Sequence, residues 1–480
     1  MNLNDFDFEK NVYKSIENIK TFQSEKALKI IDDKRNLDLI CTLENNSADD
    51  LFKCKMFLDY PITDSNELKK RIFDENGELV LLEIGQQYII EYKDIVSLSF
   101  KFKVPQIFKF DIRKIYSGKL SQYENSYQRL LIPIENDFSF EIFTCKKVKI
   151  EETIIFNGLI EIKLDNSSFH IYKYGNSDAK EKYLIIESLQ KVDFVKFKKI
   201  CDSIILSFAF MTGTLIQNKN FYQTSKSIDF SEIENTLYEK KDSNIFKRNY
   251  IIDPPKAKSY FKSINKYEEY KNYCGTISEE TFSVLISTIN CYSIFERCCR
   301  LMTEADNNKQ YLTKAGILSI ALETLTTLIS EKNVENIKPI KNKTKSNTFR
   351  NDLLNVLNQY IEDFDEETTK ILTSKINEIN RPTNSKKLAY PFEFYGIKLS
   401  RKDIEILNHR NKFLHGTSPF DESELNNKET ELLLIIGHLT FMINALILKY
   451  IGYKGHIINN SAVIQHRKNL EKTEQLFEII

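Results

Sequence analysis

Arg410, Asn411 and His415 place a guanidinium, an amide and an imidazole within six consecutive residues, in the order Arg-Asn-x-x-x-His. A guanidinium holds a phosphate through two parallel charge-assisted hydrogen bonds, and its grip tightens as negative charge accumulates on the anion. An imidazole with an ordinary pKa of about 6.5 gives or takes a proton close to neutral pH. The amide orients one of its neighbours, or the ligand, by hydrogen bonding. Together the three groups suit proton transfer at an anionic centre without a metal.

Side chains at this spacing have to be carried by one short helix. Ser400 with Asp403 three residues later reads as its capped start, and Gly416 stands where a helix commonly ends. On a wheel stepped from Ile404, the apolar residues Ile404, Ile406, Leu407, Phe413 and Leu414 share one half. Arg410 and Asn411 fall in that same half, at about 240° and 340°. A guanidinium does not shed its proton, so on a buried face Arg410 requires an anion that its own helix does not supply. The plain structural alternative pairs Arg410 with an acid of a neighbouring helix and lets His415 cap a carbonyl. His409 projects at about 140°, on the polar side, and is expected to be dispensable.

The arrangement resembles the Arg-x4-6-His signature, with a polar residue after the arginine, of the HEPN superfamily, helical domains that include many metal-independent ribonucleases of toxin and anti-phage systems. Arg410, Asn411 and His415 match it position by position. The wider run from Ile379-Asn380-Arg381-Pro382 through Leu399-Ser400 to His415-Gly416 is similar to the HEPN domain of the ApeA type, a group linked to abortive infection. The resemblance implies a helical bundle and an endoribonuclease that leaves 2′,3′-cyclic phosphate and 5′-OH ends, with no cofactor and no metal. His415 would act as base or acid, Arg410 would hold the scissile phosphate and Asn411 would orient one of them. One histidine does not serve both sides of one phosphorus. HEPN nucleases bring two motifs together across a two-fold axis, so the expectation includes a homodimer with a composite, open cleft. Glu323, in Ala321-Leu322-Glu323-Thr324-Leu325, has the Leu-Glu-x-Leu setting of many HEPN-like sequences. It is the anion that holds Arg410, a third active-site group, or a plain exposed acid.

The rest of the chain sets the frame for that helix. Its 480 residues suit two or three domains, and 68 Lys+Arg against 68 Asp+Glu exclude a nonspecific basic coat for nucleic acid, so any RNA site is local. Eight cysteines without a Cys-x-x-Cys pair, and a polar, acidic start, point to reduced thiols in a cytoplasm. Adjacent Cys298 and Cys299 point about 100° apart on a helix, and no metal site is predicted. Val12, Ile16 and Ile19 predict a helical lead-in, and from Leu51 to His170 short runs of period two, Leu98 to Val104 among them, predict a β-rich, sandwich-like domain. Asp193 to Ile216 reads as a buried helix. No phosphate-binding glycine loop occurs, so a sensing role is assigned to this part by elimination.

The fold class expected is α+β. Residues 1–216 form the β-rich recognition domain with its lead-in, 217–275 a polar junction, 276–455 an all-α HEPN bundle and 456–480 a tail. Helices are predicted near 278–305, 310–332, 349–378, 401–414 and 428–451. Leu432 to Leu448 is nearly long enough to span a bilayer, but His438, Thr440 and Asn444 interrupt it and no anchors bracket it, so it is read as bundle core with no membrane partner. His438 reads as a satisfied core imidazole. Lys341, Lys343 and Lys345, with Lys338 and Arg350, make a basic loop that is either solvated or a contact to RNA phosphates. The sequence therefore predicts an RNase of an abortive-infection system, released from inhibition when a phage-derived trigger meets the N-terminal domain. Its rivals are a non-catalytic nucleotide- or RNA-binding module and a protein-interaction scaffold.

Overall fold

The computed structural model describes residues 6–24, 28–32, 37–42, 51–57, 79–83, 86–97, 106–117, 120–134, 140–150, 153–175, 182–216, 219–241, 245–246, 250–414 and 428–480. The predicted strand Leu98 to Val104 lies outside them. The chain divides into two compact units, residues 1–209 with 214–248 and 276–290, and residues 210–213 with 249–275 and 291–480. The fold is mixed α+β, with antiparallel sheet in the N-terminal half and mostly helices in the C-terminal half.

In the first unit the strands are β1 (Leu28–Asp32), β2 (Leu37–Thr42), β3 (Leu51–Phe57), β4 (Leu79–Glu83), β5 (Gln86–Ser97), β6 (Gln106–Ser117), β7 (Tyr127–Ile134), β8 (Lys146–Ile150), β9 (Thr153–Leu164), β10 (Ser167–Gly175), β11 (Lys182–Ser188), β12 (Thr214–Leu215), β13 (Lys219–Ser225), β14 (Asn235–Lys240) and β15 (Ile245–Phe246). Among the described residues thirteen of them join one sheet, in the order β1-β2-β3-β6-β14-β13-β7-β11-β10-β9-β8 with β5 also on β6 and β4 on β5, while β12 pairs with β15. Residues 219–240, read from sequence as a junction, thus supply two interior strands. Their Lys, Asn and Tyr content concealed a pairing that burial of both faces stabilises.

The layers follow from the two-residue period of a strand. Tyr222 of β13 and Phe169 of β10 meet Phe194 and Phe197 of α2 (Phe194–Thr212) at ring separations of 5.4 and 6.3 Å. The next residue of β13, Gln223, points the other way and donates to the Ser15 carbonyl (2.9 Å) of α1 (Phe6–Ser24). Arg129, opposite Gln223 on β7, donates to the Ser15 hydroxyl at 2.7 Å. Helices therefore cover the two faces here, where a sandwich would have placed a second sheet. This accounts for the almost unbroken burial of β7, β11 and β13. Val12, Ile16 and Ile19 are the buried stripe of α1, as their spacing predicts.

The remaining helices are α3 (Pro254–Ser263), α4 (Tyr267–Tyr270), α5 (Glu279–Cys291), α6 (Ser293–Asn307), α7 (Tyr311–Lys332), α8 (Val334–Ile337), α9 (Lys343–Gln359), α10 (Glu366–Asn377), α11 (Asn384–Phe394), α12 (Arg401–Leu414), α13 (Glu429–Tyr450) and α14 (Asn460–Arg467). The helix predicted over 278–305 is two helices, because Tyr292 is extended at φ −118° and ψ 102°. The first of them, α5, belongs to the sheet unit, where Phe282 packs 4.7 Å from the Phe143 ring and 5.1 Å from Phe208. The helix predicted over 349–378 is a hairpin, α9 and α10, turned at Ile361–Asp363 and restarted by Asp365, which accepts from the Thr368 N–H at 2.6 Å.

The second unit is built on α7, which packs against α6, α11, α12 and α13. Both α7 and α13 are long and apolar enough to cross a membrane by composition, and α13 is buried along most of its length among its neighbours. Residues 456–480, expected as a tail, form β16 (His456–Ile458), α14 and β17 (Phe477–Ile479), and the two strands pair with each other.

Candidate functional site

Helix α12 starts as its sequence predicts. The Ser400 hydroxyl accepts from the Asp403 N–H at 3.1 Å, and Asp403 Oδ2 accepts from the Ser400 N–H at 2.8 Å and from its hydroxyl at 2.7 Å. Ile406, Leu407 and Phe413 are buried, whereas Ile404 stays half exposed on the first turn. Helix α12 runs past α7 in the opposite sense and close to it. A Cβ added at Gly316 would lie 3.4 Å from the Phe413 carbonyl oxygen, and seven residues further along α7 Glu323 faces Arg410.

That approach decides what Arg410 does. Its Nη2 lies 3.6 Å from Glu323 Oε1, so the anion the buried position required comes from the helix next door. The pair is uneven: the arginine side chain is 6% exposed and the glutamate side chain 43% exposed. Arg410 Nε is buried without an acceptor. The open cleft expected around Arg410 is therefore not what the chain presents, because the apolar face of α12 presses the arginine stem onto α7 and leaves the guanidinium under Glu323. His415 and Gly416 lie outside the described residues, as do the side chains of Asn411 and His409.

Lys341, Lys343 and Lys345 do not lie on a free loop. Lys341 precedes α9 and the other two occupy its first turn, where Asn342 Oδ1 caps the helix by accepting from the Lys345 N–H at 3.0 Å. All three are exposed. Among the described residues no ion pair or hydrogen bond joins them to Arg410 or Glu323.

The same helix carries a second constellation, which sequence reasoning split into a cap and a core imidazole. Asp403 Oδ1 lies 2.8 Å from His438 Nδ1 on α13, and His438 Nε2 lies 3.3 Å from Glu474 Oε1. Glu474 Oε2 accepts from Asn459 Nδ2 at 3.1 Å and from the Ser461 hydroxyl. Burial pushes the Asp403 carboxyl up, and the hydrogen bonds from His438 and Ser400 outweigh it, so Asp403 sits below the usual carboxylate range. Glu478 is pushed up by burial and by the charges of Glu474 and Asp403. These groups border a cavity of about 360 Å³ that also receives Lys398 and Lys449. The close approach comes from Gly437, where a Cβ would stand 2.8 Å from the Ser461 Cα. Only the 35-residue separation of Asp403 and His438 hid the pair, since no spacing rule links residues on two different helices.

With both imidazole nitrogens at carboxylates, His438 ties α12, α13 and the C-terminal segment together and has no free edge for a substrate. The adjacent thiols of Cys298 and Cys299 are buried on α6, and burial pushes Cys298 up to about 12. Among the described residues no three His, Cys, Asp or Glu side chains converge as a metal cage. Compared with known proteins, the chain matches no family model, no curated protein and no solved structure.

Proposed function

We propose that this chain is a HEPN protein of the ApeA type, a metal-independent endoribonuclease that acts in the cytoplasm in abortive infection. The observation that carries the reading is the uneven Arg410–Glu323 pair, 3.6 Å apart on two packed helices and five residues before His415. A guanidinium with one buried N–H unmatched and a half-solvated partner is poorly satisfied, and a phosphate offers it more charge and more acceptor oxygens. In the resting chain Glu323 occupies Arg410. When the N-terminal unit meets its phage-derived trigger, Arg410 turns to the scissile phosphate, His415 takes or gives the proton, and Asn411 holds one of them in place. A second copy supplies the second imidazole of a composite site, and Lys341, Lys343 and Lys345 track the RNA backbone. No cofactor takes part.

The burial of Arg410 favours a second reading, a non-catalytic module or an interaction scaffold in which the arginine only joins α12 to α7. Purified full-length protein incubated with total RNA in EDTA separates them. Wild type, with Glu323 on Arg410, is expected to cut only slowly, Glu323→Gln about tenfold faster by weakening that hold, and Arg410→Ala and His415→Ala to leave the RNA whole. Intact RNA with both wild type and Glu323→Gln, or equal cutting by all four, removes the enzyme reading.

A further inference from the structure

The cavity of about 360 Å³ beside Asp403 lies wholly within the second unit, lined from the start of α12, from α13 and from β17. Its size is at the lower end of the roughly 300 to 1,000 Å³ that small-molecule sites enclose. On α13 the lining comes from His438, Phe441 and Lys449, which fall within about 80° of one another on the wheel. His438 and Lys449 are eleven residues apart, so about 16 Å of helix separates the two ends of that stripe.

The two ends differ in charge. Near His438, Asp403 and Glu474 are committed to the imidazole, whereas the Glu478 carboxyl has neither a hydrogen bond nor an ion pair among the described residues. Burial and the charges of Glu474 and Asp403 push it up, and Lys266 offsets this only in part. At the other end the Lys449 ammonium is equally unmatched among the described residues, and burial with the charge of Lys454 pushes it down. Lys398, which also lines the cavity, has no ion pair with a described residue either. A carboxyl and an ammonium that would each gain from a counter-charge are thus held too far apart to pair, and no described side chain completes either pair.

We infer that this cavity binds a small molecule with an ammonium at one end, a carboxylate at the other and an apolar chain between them. The ammonium meets Glu478, the carboxylate meets Lys449 and Lys398, and the chain lies along Phe441 and Ile397. A cation alone would still face the two lysines, an anion alone would face the carboxyls, and an apolar ligand would bury the charges at both ends without pairing them. Only a ligand with both charges, spaced more widely than in an α-amino acid, satisfies both ends. The site shares no residue with Arg410, Glu323 or His415, and binding is read by heat whether or not RNA is cut, so either reading can fail alone.

Isothermal titration calorimetry on the full-length chain tests it with γ-aminobutyrate, δ-aminovalerate and ε-aminocaproate, and with hexylamine and caproate as single-charge controls. At least one of the three amino acids is expected to bind with a Kd of about 1 mM or tighter, and each single-charge control about tenfold more weakly. Glu478→Gln and Lys449→Met are each expected to weaken that binding about tenfold. Each variant also removes an unmatched charge, so each is expected to melt no lower than wild type, which separates lost binding from unfolding. No heat from any of the three amino acids, a single-charge control that binds as tightly, binding unchanged in either variant, or a fall in melting temperature that marks the group as already paired would overturn the inference.

Discussion

Arg410 shows what a single residue discloses in a sequence and what it withholds. Its place on the apolar face of α12 was legible at once, and so was the need for an anion; the identity of Glu323 rested on a resemblance and not on spacing. Its depth was not legible, because a wheel gives direction and not how closely the next helix approaches, which here depends on Gly316. Since the guanidinium is 6% exposed and lacks one acceptor, Arg410→Met is expected to leave the melting temperature unchanged or raise it, by up to about 2 kcal/mol in stability. A large drop would mark the arginine as a structural tie. Asp403 behaves oppositely. Its lowered value means that it adds stability fully present above the unfolded carboxyl value of about 3.9, and lost as pH falls through its folded value. Asp403→Asn is expected to cost about 2 kcal/mol at neutral pH, with the difference from wild type closing as the pH drops below about 4 in urea titrations.

At the scale of elements, α7, α12 and α13 fell within a residue or so of their predicted limits, because α7 and α13 carry long apolar runs, α13 opens on Glu429 and Glu431, and α12 has the Ser400–Asp403 cap. The misjudged helices share a cause. Over 278–305 and 349–378 the apolar period continues across Tyr292 and across the turn at Ile361–Asp363, and neither break carries a proline or glycine to announce it. Helix α11 went unread because Pro391 sits inside it. The contact of α13 with α14 is set by one residue. Gly437→Ala would drive a Cβ into the Ser461 backbone, which has no rotamer to yield, and is expected to cost about 1 to 3 kcal/mol by thermal melting. Gly275→Ala, with nothing within 4 Å, serves as the control and is expected to change stability by less than about 0.5 kcal/mol.

The whole molecule is two units whose chain segments interleave, since residues 276–290 return to the sheet after 249–275 have joined the helices. Alternation along 51–170 revealed strands but not what covers them, because a helix and a second sheet demand the same apolar face of a strand. The polar stretch 219–240 supplies β13 and β14 with Tyr, Thr and Asn that hydrogen-bond inside the unit, which composition alone reads as linker. The central claim, that the Arg-Asn-x-x-x-His motif performs metal-free RNA cleavage, is met most directly by the chemistry of the ends it leaves. RNA digested in EDTA by the full-length chain and by Glu323→Gln is to be mapped for its termini, with His415→Ala alongside. The account predicts 2′,3′-cyclic phosphate and 5′-OH ends that vanish with His415→Ala. Ends bearing 3′-OH and 5′-phosphate, or cyclic ends made equally well without His415, would contradict it.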